Sequence, residues 1–301
     1  MTHNRPSSPP SLPRQLILQK FYAMLDEDIG FGDVTTTALI AEDQNALAQL
    51  FTRKPGVVAG LGIATTILED LGYVVTTKAQ DGMKVKANTT LLEARGRAAL
   101  LLSIERTLLN LVQRMSGIAT ATANLLQKAR KINSKVRIAA TRKTAPLLRF
   151  FDKLAVTIGG GDPHRWRLDD AILIKDNHLA FFPDPSQALQ QARKNASFTC
   201  PIEIEVTTTQ AAQMSAKAGA DIILLDNMDT KEISAIVKAI HQSHPSVTLE
   251  ASGNITPENI EQYARTGVDV ISVGWLTHSV QALDLSISLT PISNDNPTPE
   301  E

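Results

Sequence analysis

The sequence predicts an α/β protein, a barrel or near-barrel of βα units behind a smaller α+β domain. Three observations carry this reading. Short branched-aliphatic runs recur from Val136 onward: VRIAAT, LAVTIGG, AILIKDN, IEIEV, DIILLDN, VTLEASG and VDVISVG. Most are apolar at successive positions, as strands covered on both faces of a parallel sheet are. Helical patterns at 185–194, 209–218, 229–242 and 256–266 separate several of them, which is the rhythm of βα repeats. Seven candidate strands in one compact stretch favour a barrel over a doubly wound sheet. No GxGxxG follows the first of them to support a dinucleotide-binding fold.

Taken in order, residues 1–15 are polar and proline-rich and read as a disordered lead-in, as does the tail at 291–301. Apolar spacing over 16–26 predicts a first helix, followed by a Gly- and Thr-rich loop, EDIGFGDVTT. Between 46 and 94, β-prone pieces (ALAQLFTR, YVVTTKA, TLLEARG) alternate with Gly-rich turns and one helix near 63–71. A long Leu- and Ala-rich helix is expected over 98–133, bent at Ser116-Gly117. These elements make a first domain at 16–125 and a barrel domain at 126–276.

With 30 Lys and Arg against 31 Asp and Glu, the net charge is -1, so there is no basic field for bulk nucleic-acid binding. Aromatics at 4% leave few rings to stack on bases. The single cysteine, Cys200, excludes an intrachain disulfide, fits a reducing cytoplasm, and reads as a buried structural thiol. No apolar run approaches the ~20 residues that span a bilayer, so neither a membrane nor nucleic acid is expected as a partner.

Against this neutral background, residues 141–178 concentrate cations: Arg142, Lys143, Arg149, His164, Arg165 and Lys175. Arg142, Lys175, Glu205, Asp226, Ser252 and Gly274 each fall at or just beyond the C-terminal end of an apolar run. That is the face where barrel sites assemble. Cations facing the isolated carboxylates Glu205 and Asp226 suit a polyanionic substrate that arrives with a metal ion. Glu203 shares a strand face with Glu205 and could partner a cation inside the barrel. Lys175 ends a run apolar enough to be buried, so its ammonium must meet an anion, either substrate or carboxylate.

The same motifs, in the order EDIGFGDVTT, ERTLLNLVQRMSGIAT, TRKT with PLLR, GGG followed by HR and LIKDNH, IEIEV, LLDNM, EASGNI and ISVGWLTHS, resemble quinolinate phosphoribosyltransferases nearly end to end. The resemblance implies an N-terminal α/β sandwich domain, an incomplete seven-stranded α/β barrel of the type II phosphoribosyltransferase kind, and a C-terminal helix at 277–290 packing back on the first domain. It also implies joining of quinolinate to 5-phosphoribosyl 1-pyrophosphate with Mg²⁺, releasing pyrophosphate and CO2 and giving nicotinate mononucleotide. A homodimer, or a larger assembly, is implied as well, with Arg106 reaching the neighbouring subunit's site.

Residue by residue, the resemblance makes Arg142 the leading quinolinate ligand, since a guanidinium grips a carboxylate bidentately. His164 and Arg165 help it, and Lys143 and Lys175 contact the phosphate and substrate region. Glu205 and Asp226 hold Mg²⁺-pyrophosphate and the ribose hydroxyls. Ser252, Gly253, Asn254 and Gly274 cradle the 5-phosphate. Asn177 and His178 either support the site through hydrogen bonds or serve structure alone. Trp166 is a candidate pocket wall. Relatives usually carry a small or uncharged residue at Arg167, a small one at Trp275, and glycine at Leu147 and around Asn88.

Three other readings share these features. One is a Schiff-base lyase using Lys143 or Lys175. Another is a relative with a different acceptor. The third is a sensor of phosphoribosyl metabolites without turnover. Adjacent cations in TRKT fit anion binding better than amine chemistry, and intact carboxylates argue for turnover.

Overall fold

A computed structural model describes residues 12–293. The chain forms two compact units, one running to Thr120 and rejoined from Gln281, the other Ala121–Val280.

In the first unit, α1 (Arg14–Ile29) buries Ile17, Phe21 and Leu25, one per turn. The short helix α2 (Val34–Leu39) starts inside the stretch expected to be loop, because Asp33 caps it by accepting from the Thr36 amide at 2.9 Å. Strands β1 (Asn45–Thr52) and β2 (Gly56–Val57) precede α3 (Leu61–Asp70). The Asp81 carboxylate, whose pKa burial raises, accepts from the Leu61 amide at 2.8 Å at the start of α3. Next come β3 (Val74–Thr77), β4 (Lys84–Val85), β5 (Thr90–Arg97) and the long helix α4 (Ala98–Arg130). α4 runs unbroken through Ser116-Gly117. Gly117 serves close approach there, since a Cβ would lie 2.2 Å from the Gln281 carbonyl oxygen.

The second unit alternates strand and helix: β6 (Arg137–Ala139), α5 (Arg149–Ile158), β7 (Ile172–Ile174), α6 (Asp176–Leu179), α7 (Pro185–Asn195), β8 (Ile202–Val206), α8 (Thr209–Lys217), β9 (Ile222–Asp226), α9 (Thr230–Ser243), β10 (Thr248–Ser252), α10 (Ile260–Arg265), β11 (Val270–Ser272) and α11 (Trp275–His278). The strands pair in parallel in the order β6-β11-β10-β9-β8-β7. Ile202, Ile204, Ile223, Leu225, Leu249, Ala251 and Ile271 face helical residues such as Ala212, Ile233, Ile236 and Ile240 in one apolar core. Trp275 packs partly buried against that core, which accounts for a large side chain at that position.

Three expectations need correction. Among the described residues the parallel sheet has six strands, not seven. LAVTIGG belongs to α5, whose Phe151, Leu154 and Ala155 follow helical spacing that a short apolar window conceals. The seventh place is held by a single parallel bridge from Ala139 to Asp162. The C-terminal helix expected over 277–290 is instead the last two residues of α11 followed by β12 (Leu285–Ile292), antiparallel to β1 at the edge of the order β12-β1-β5-β3. LSISLT alternates apolar and polar with period two, a strand pattern, and Pro291 is tolerated on an edge. The boundary between units also falls within α4 at 120/121 rather than 125/126. Of the lead-in and tail, residues 1–11 and 294–301 lie outside the described residues, while Arg14 is already helical and Pro291 still in a strand.

Candidate active site

A cleft of about 470 Å³ opens at the C-terminal ends of the parallel strands. It is lined by Arg142, Lys143, His164, Arg165, Lys175, Glu205, Asp226, Ser252, Gly253 and Asn254, with Asn227, Glu250 and Ser272 among others. Parallel pairing sets this up. Register places Ser252 beside Asp226 and Glu205 beside Leu224, so groups far apart in sequence reach one rim.

At the strand ends, Lys175 follows β7 and makes an ion pair with Glu205 of β8. The lysine side chain is 43% exposed and the glutamate 13%, so the ammonium stands in the cleft mouth rather than in the core expected for it. Its backbone amide donates to His178 Nδ1 at 2.9 Å, which fixes the turn into α6. His178 and Asn177 do not line the cleft. Asp226 accepts from Asn227 Nδ2 at 2.7 Å. Asn227, with φ 53°, also donates its amide to the Ser252 carbonyl at 3.0 Å and accepts from Asn254 Nδ2 at 3.1 Å. Gly253 is required beside this knot. Its φ is +101°, and a Cβ would lie 2.3 Å from Asn227 Oδ1.

The opposite wall is cationic and sits on loops. Arg142 Nε is buried with no hydrogen-bond partner among the described residues. Lys143 is held through its backbone, by Thr141 Oγ1 at 3.0 Å and by the Thr277 hydroxyl donating to its carbonyl at 2.8 Å. Gly274 is not a lining residue, but a Cβ there would approach Lys143 Cδ at 3.2 Å, so its smallness leaves room for that side chain. Arg165 donates to the Ala171 carbonyl at 3.2 Å, and burial followed by the nearby Arg142 lowers its pKa. Arg167 turns away from the cleft and lies 5.2 Å over the Phe150 ring, which Trp166 also contacts at 5.9 Å. Trp166 does not wall the cleft.

Beneath His164 lie two buried carboxylates. His164 Nε2 is 3.5 Å from Glu203 and 3.4 Å from Glu250, and Ser272 Oγ donates to Glu250 at 2.5 Å. Burial works against a charged ring, but hydrogen bonds and charge from both carboxylates outweigh it and raise the His164 pKa to about 10. The Arg165 amide, 2.7 Å from Nδ1, favours a lone pair there instead. Two carboxylates together outweigh one peptide dipole, so the upward direction stands. Burial raises the Glu203 pKa, against the pull of His164. The ligand atoms of this trio lie within 4.8 Å of one another, the grouping of a metal site. Metal binding would require a neutral imidazole. Glu203 is thus an interior carboxylate, and its partner is His164.

The structure thus gathers nearly all of the sequence-derived candidates on one rim, apart from Gly274, which stands behind Lys143, and Arg106, which is exposed on α4 in the other unit. It adds Asn227, Glu250 and Ser272, which sequence reasoning passed over. Glu250 carried a signal, since period two puts it on the same strand face as Ser252. Cys200, expected buried, is partly exposed and touches the Pro201 carbonyl at 3.7 Å. Among the described residues no helix is long and apolar enough to cross a membrane.

Cations and carboxylates at the C-terminal mouth of an open α/β barrel define an enzyme-like cleft for an anionic substrate. The chain matches the model of the quinolinate phosphoribosyl transferase C-terminal domain over residues 118–288 and that of the N-terminal domain over 33–116. It is 44% identical over 268 residues to a probable carboxylating nicotinate-nucleotide pyrophosphorylase of Methanothermobacter thermautotrophicus, covering 88% of this chain and 96% of that protein. A second relative with the same description, from Methanocaldococcus jannaschii, is 41% identical over 269 residues, covering 88% of this chain and 94% of that protein. The crystal structure of NadC from Streptococcus pyogenes superposes with a TM-score of 0.88 at 36% identity, covering 94% of this chain and all of that one. The chain belongs to the quinolinate phosphoribosyl transferase family.

Proposed function

We propose that the protein is a carboxylating nicotinate-nucleotide pyrophosphorylase, joining quinolinate to 5-phosphoribosyl 1-pyrophosphate to give nicotinate mononucleotide, pyrophosphate and CO2 in NAD biosynthesis. The observation that carries this is the loop wall of Arg142, Lys143, His164 and Arg165 opposite Asp226 and the Lys175–Glu205 pair, with Arg142 Nε buried and unpartnered among the described residues. A buried donor left without an acceptor is costly, and a carboxylate of the substrate satisfies it.

Arg142, His164 and Arg165 take the two adjacent carboxylates and turn the ring nitrogen toward the ribosyl carbon. Ser252, Gly253 and Asn254 hold the 5-phosphate against the Asn227 knot. Glu205 and Asp226 favour the positive charge that develops on the ribosyl ring as its bond to pyrophosphate breaks. Lys143 and Lys175 neutralise the departing pyrophosphate. Once alkylated, the ring nitrogen is cationic and stabilises the carbanion left when the adjacent carboxylate departs as CO2, and that carbon then takes a proton from solvent. Positioning and electrostatics serve both steps without a protein nucleophile. Asp226 and Glu205 present the hard carboxylate oxygens that Mg²⁺ takes, and bound there it would supply charge neutralisation to the pyrophosphate. Arg106, exposed on α4, reaches the site of a second copy in a homodimer, and the single cysteine suits a cytoplasmic enzyme.

The test supplies the ribosyl donor and Mg²⁺ with quinolinate, nicotinate or nicotinamide in turn, following nucleotide and CO2. Turnover of quinolinate alone, abolished by chelator, is expected, and equal turnover of nicotinate sinks the reading.

A further inference from the structure

Lys153 is a buried cation that the mechanism above does not use. It sits on α5 with 0% of its surface exposed, among Phe151, Leu154, Ala155 and Val156. Burial, reinforced by Arg149 and Arg142 and opposed by Asp162 and Asp170, lowers its pKa to about 8. An ammonium in so poor a place must do something that methionine would not.

Its Nζ donates to the carbonyl of Pro163. The other end of that same peptide unit, the His164 N–H, donates to Asp162 Oδ1 at 2.8 Å. One peptide plane is therefore gripped at its oxygen by a cation and at its hydrogen by an anion. Asp162 is itself fixed. Its amide donates to the Ile138 carbonyl at 2.7 Å, its carbonyl accepts from the Ala140 amide at 2.9 Å, and its carboxylate pairs with Arg137. The plane so held opens into His164, whose φ of 53° is a left-handed conformation that a side chain larger than glycine adopts only when its surroundings impose it. The preceding Gly160, at φ +86°, makes the turn that brings the loop back to α5. With His164 held in this backbone state, its ring reaches Glu203 and Glu250, and Arg165 follows it onto the cleft rim.

We infer that Lys153 is a positioning residue, clamping the Pro163–His164 peptide together with Asp162 so that His164 and Arg165 are presented to the acceptor's carboxylates. The inference rests on the quinolinate reading for the identity of that acceptor. It leaves the donor side of the cleft untouched: the 5-phosphate lies at the β9 and β10 ends, and Lys143 and Lys175, assigned to the pyrophosphate, are held by other partners.

Lys153→Met keeps the volume and removes the cation. Because loosening a positioned group by a fraction of an ångström to an ångström weakens what it holds, KM for quinolinate should rise about 10- to 100-fold. KM for the ribosyl donor should stay within about 2-fold, a split that general loss of structure would not produce. A KM ratio unchanged from the parent, or both constants raised together, overturns the inference. Should Lys153→Met fail to fold, Lys153→Gln, which keeps a donor without the charge, is read by the same ratio, with a rise of about 3-fold or more expected. If the parent does not turn over quinolinate, the functional reading fails by itself. The clamp is then decided by amide hydrogen exchange over residues 160–166, which should accelerate in the variant while β8 and β9 stay protected, and unchanged rates would overturn it.

Discussion

One cleft is built in two different ways. Its carboxylate side consists of residues at or next to the ends of parallel strands: Glu205, Asp226, Ser252 and Gly253. The sheet that positions them is the core itself, and ladder pairing fixes the heights of Glu205, Asp226 and Ser252. The cation side, Arg142, Lys143, His164 and Arg165, stands on loops beyond β6 and before β7, where no ladder runs. There charged side chains hold much of the backbone: Asp162, Lys153 and Arg149, the last donating to the Trp166 carbonyl at 3.4 Å. A strand end is rigid because burying apolar surface makes it so. A loop becomes equally rigid only when buried ionic groups impose its conformation, at a cost in desolvation.

The difference can be tested where each side is tightest. On the strand side, Gly253→Ala places a methyl group 2.3 Å from Asn227 Oδ1 at a backbone φ of +101°. Because neither strand end can move, turnover should fall about 100-fold, with KM for the ribosyl donor rising more than that for quinolinate. A variant of parental activity would mean that this rim yields as loops do.

A smaller effect should appear in the pH dependence of stability. The unfolded Lys153 binds its proton up to about pH 10.5, whereas the folded one releases it near pH 8. Between those values the unfolded state binds more protons, so stability rises with pH. The contribution is fully present above about 10.5 and lost as pH falls through 8. Denaturant unfolding of the parent and of Lys153→Met across this range should show the parent gaining on the variant as pH rises. Parallel curves would show that the ammonium is not buried as described.

The smallest expected effect lies on the outer part of the cationic loop. Leu147 is 83% exposed with φ 64°. Leu147→Gly should raise unfolding free energy by about 1 kcal/mol, since glycine takes that backbone state without strain. Loss of stability on thermal denaturation would mean that Leu147 contributes a contact outweighing its strain.

The sequence foreshadowed several of these features. The family resemblance implied glycine at Leu147 and near Asn88, and both positions do have positive φ, 64° and 60°. The TRKT cations, HR after GGG, and the polar residues closing IEIE, IILLD and LEAS were all legible, because an apolar run announces its own end. What misled was short context. LAVTIGG read as a strand until Phe151 and Asp152 completed its helical period, and the same misreading hid Lys153. Resemblance implies a helix where the final strand lies, although LSISLT alternates as strands do.

By itself, then, the sequence determined the alternation of strand and helix, the family, and which residue types crowd the mouth of the barrel. Those depend on local periodicity and on side-chain chemistry, which a linear chain displays. Only the tertiary structure decided that Glu203 and Glu250 meet under His164, that Asn227 ties β9 to β10, and that Lys153 and Asp162 grip one peptide from opposite ends. Such pairings join residues on different elements, and their energies exist only after the core has brought those elements together and excluded water from between the charges.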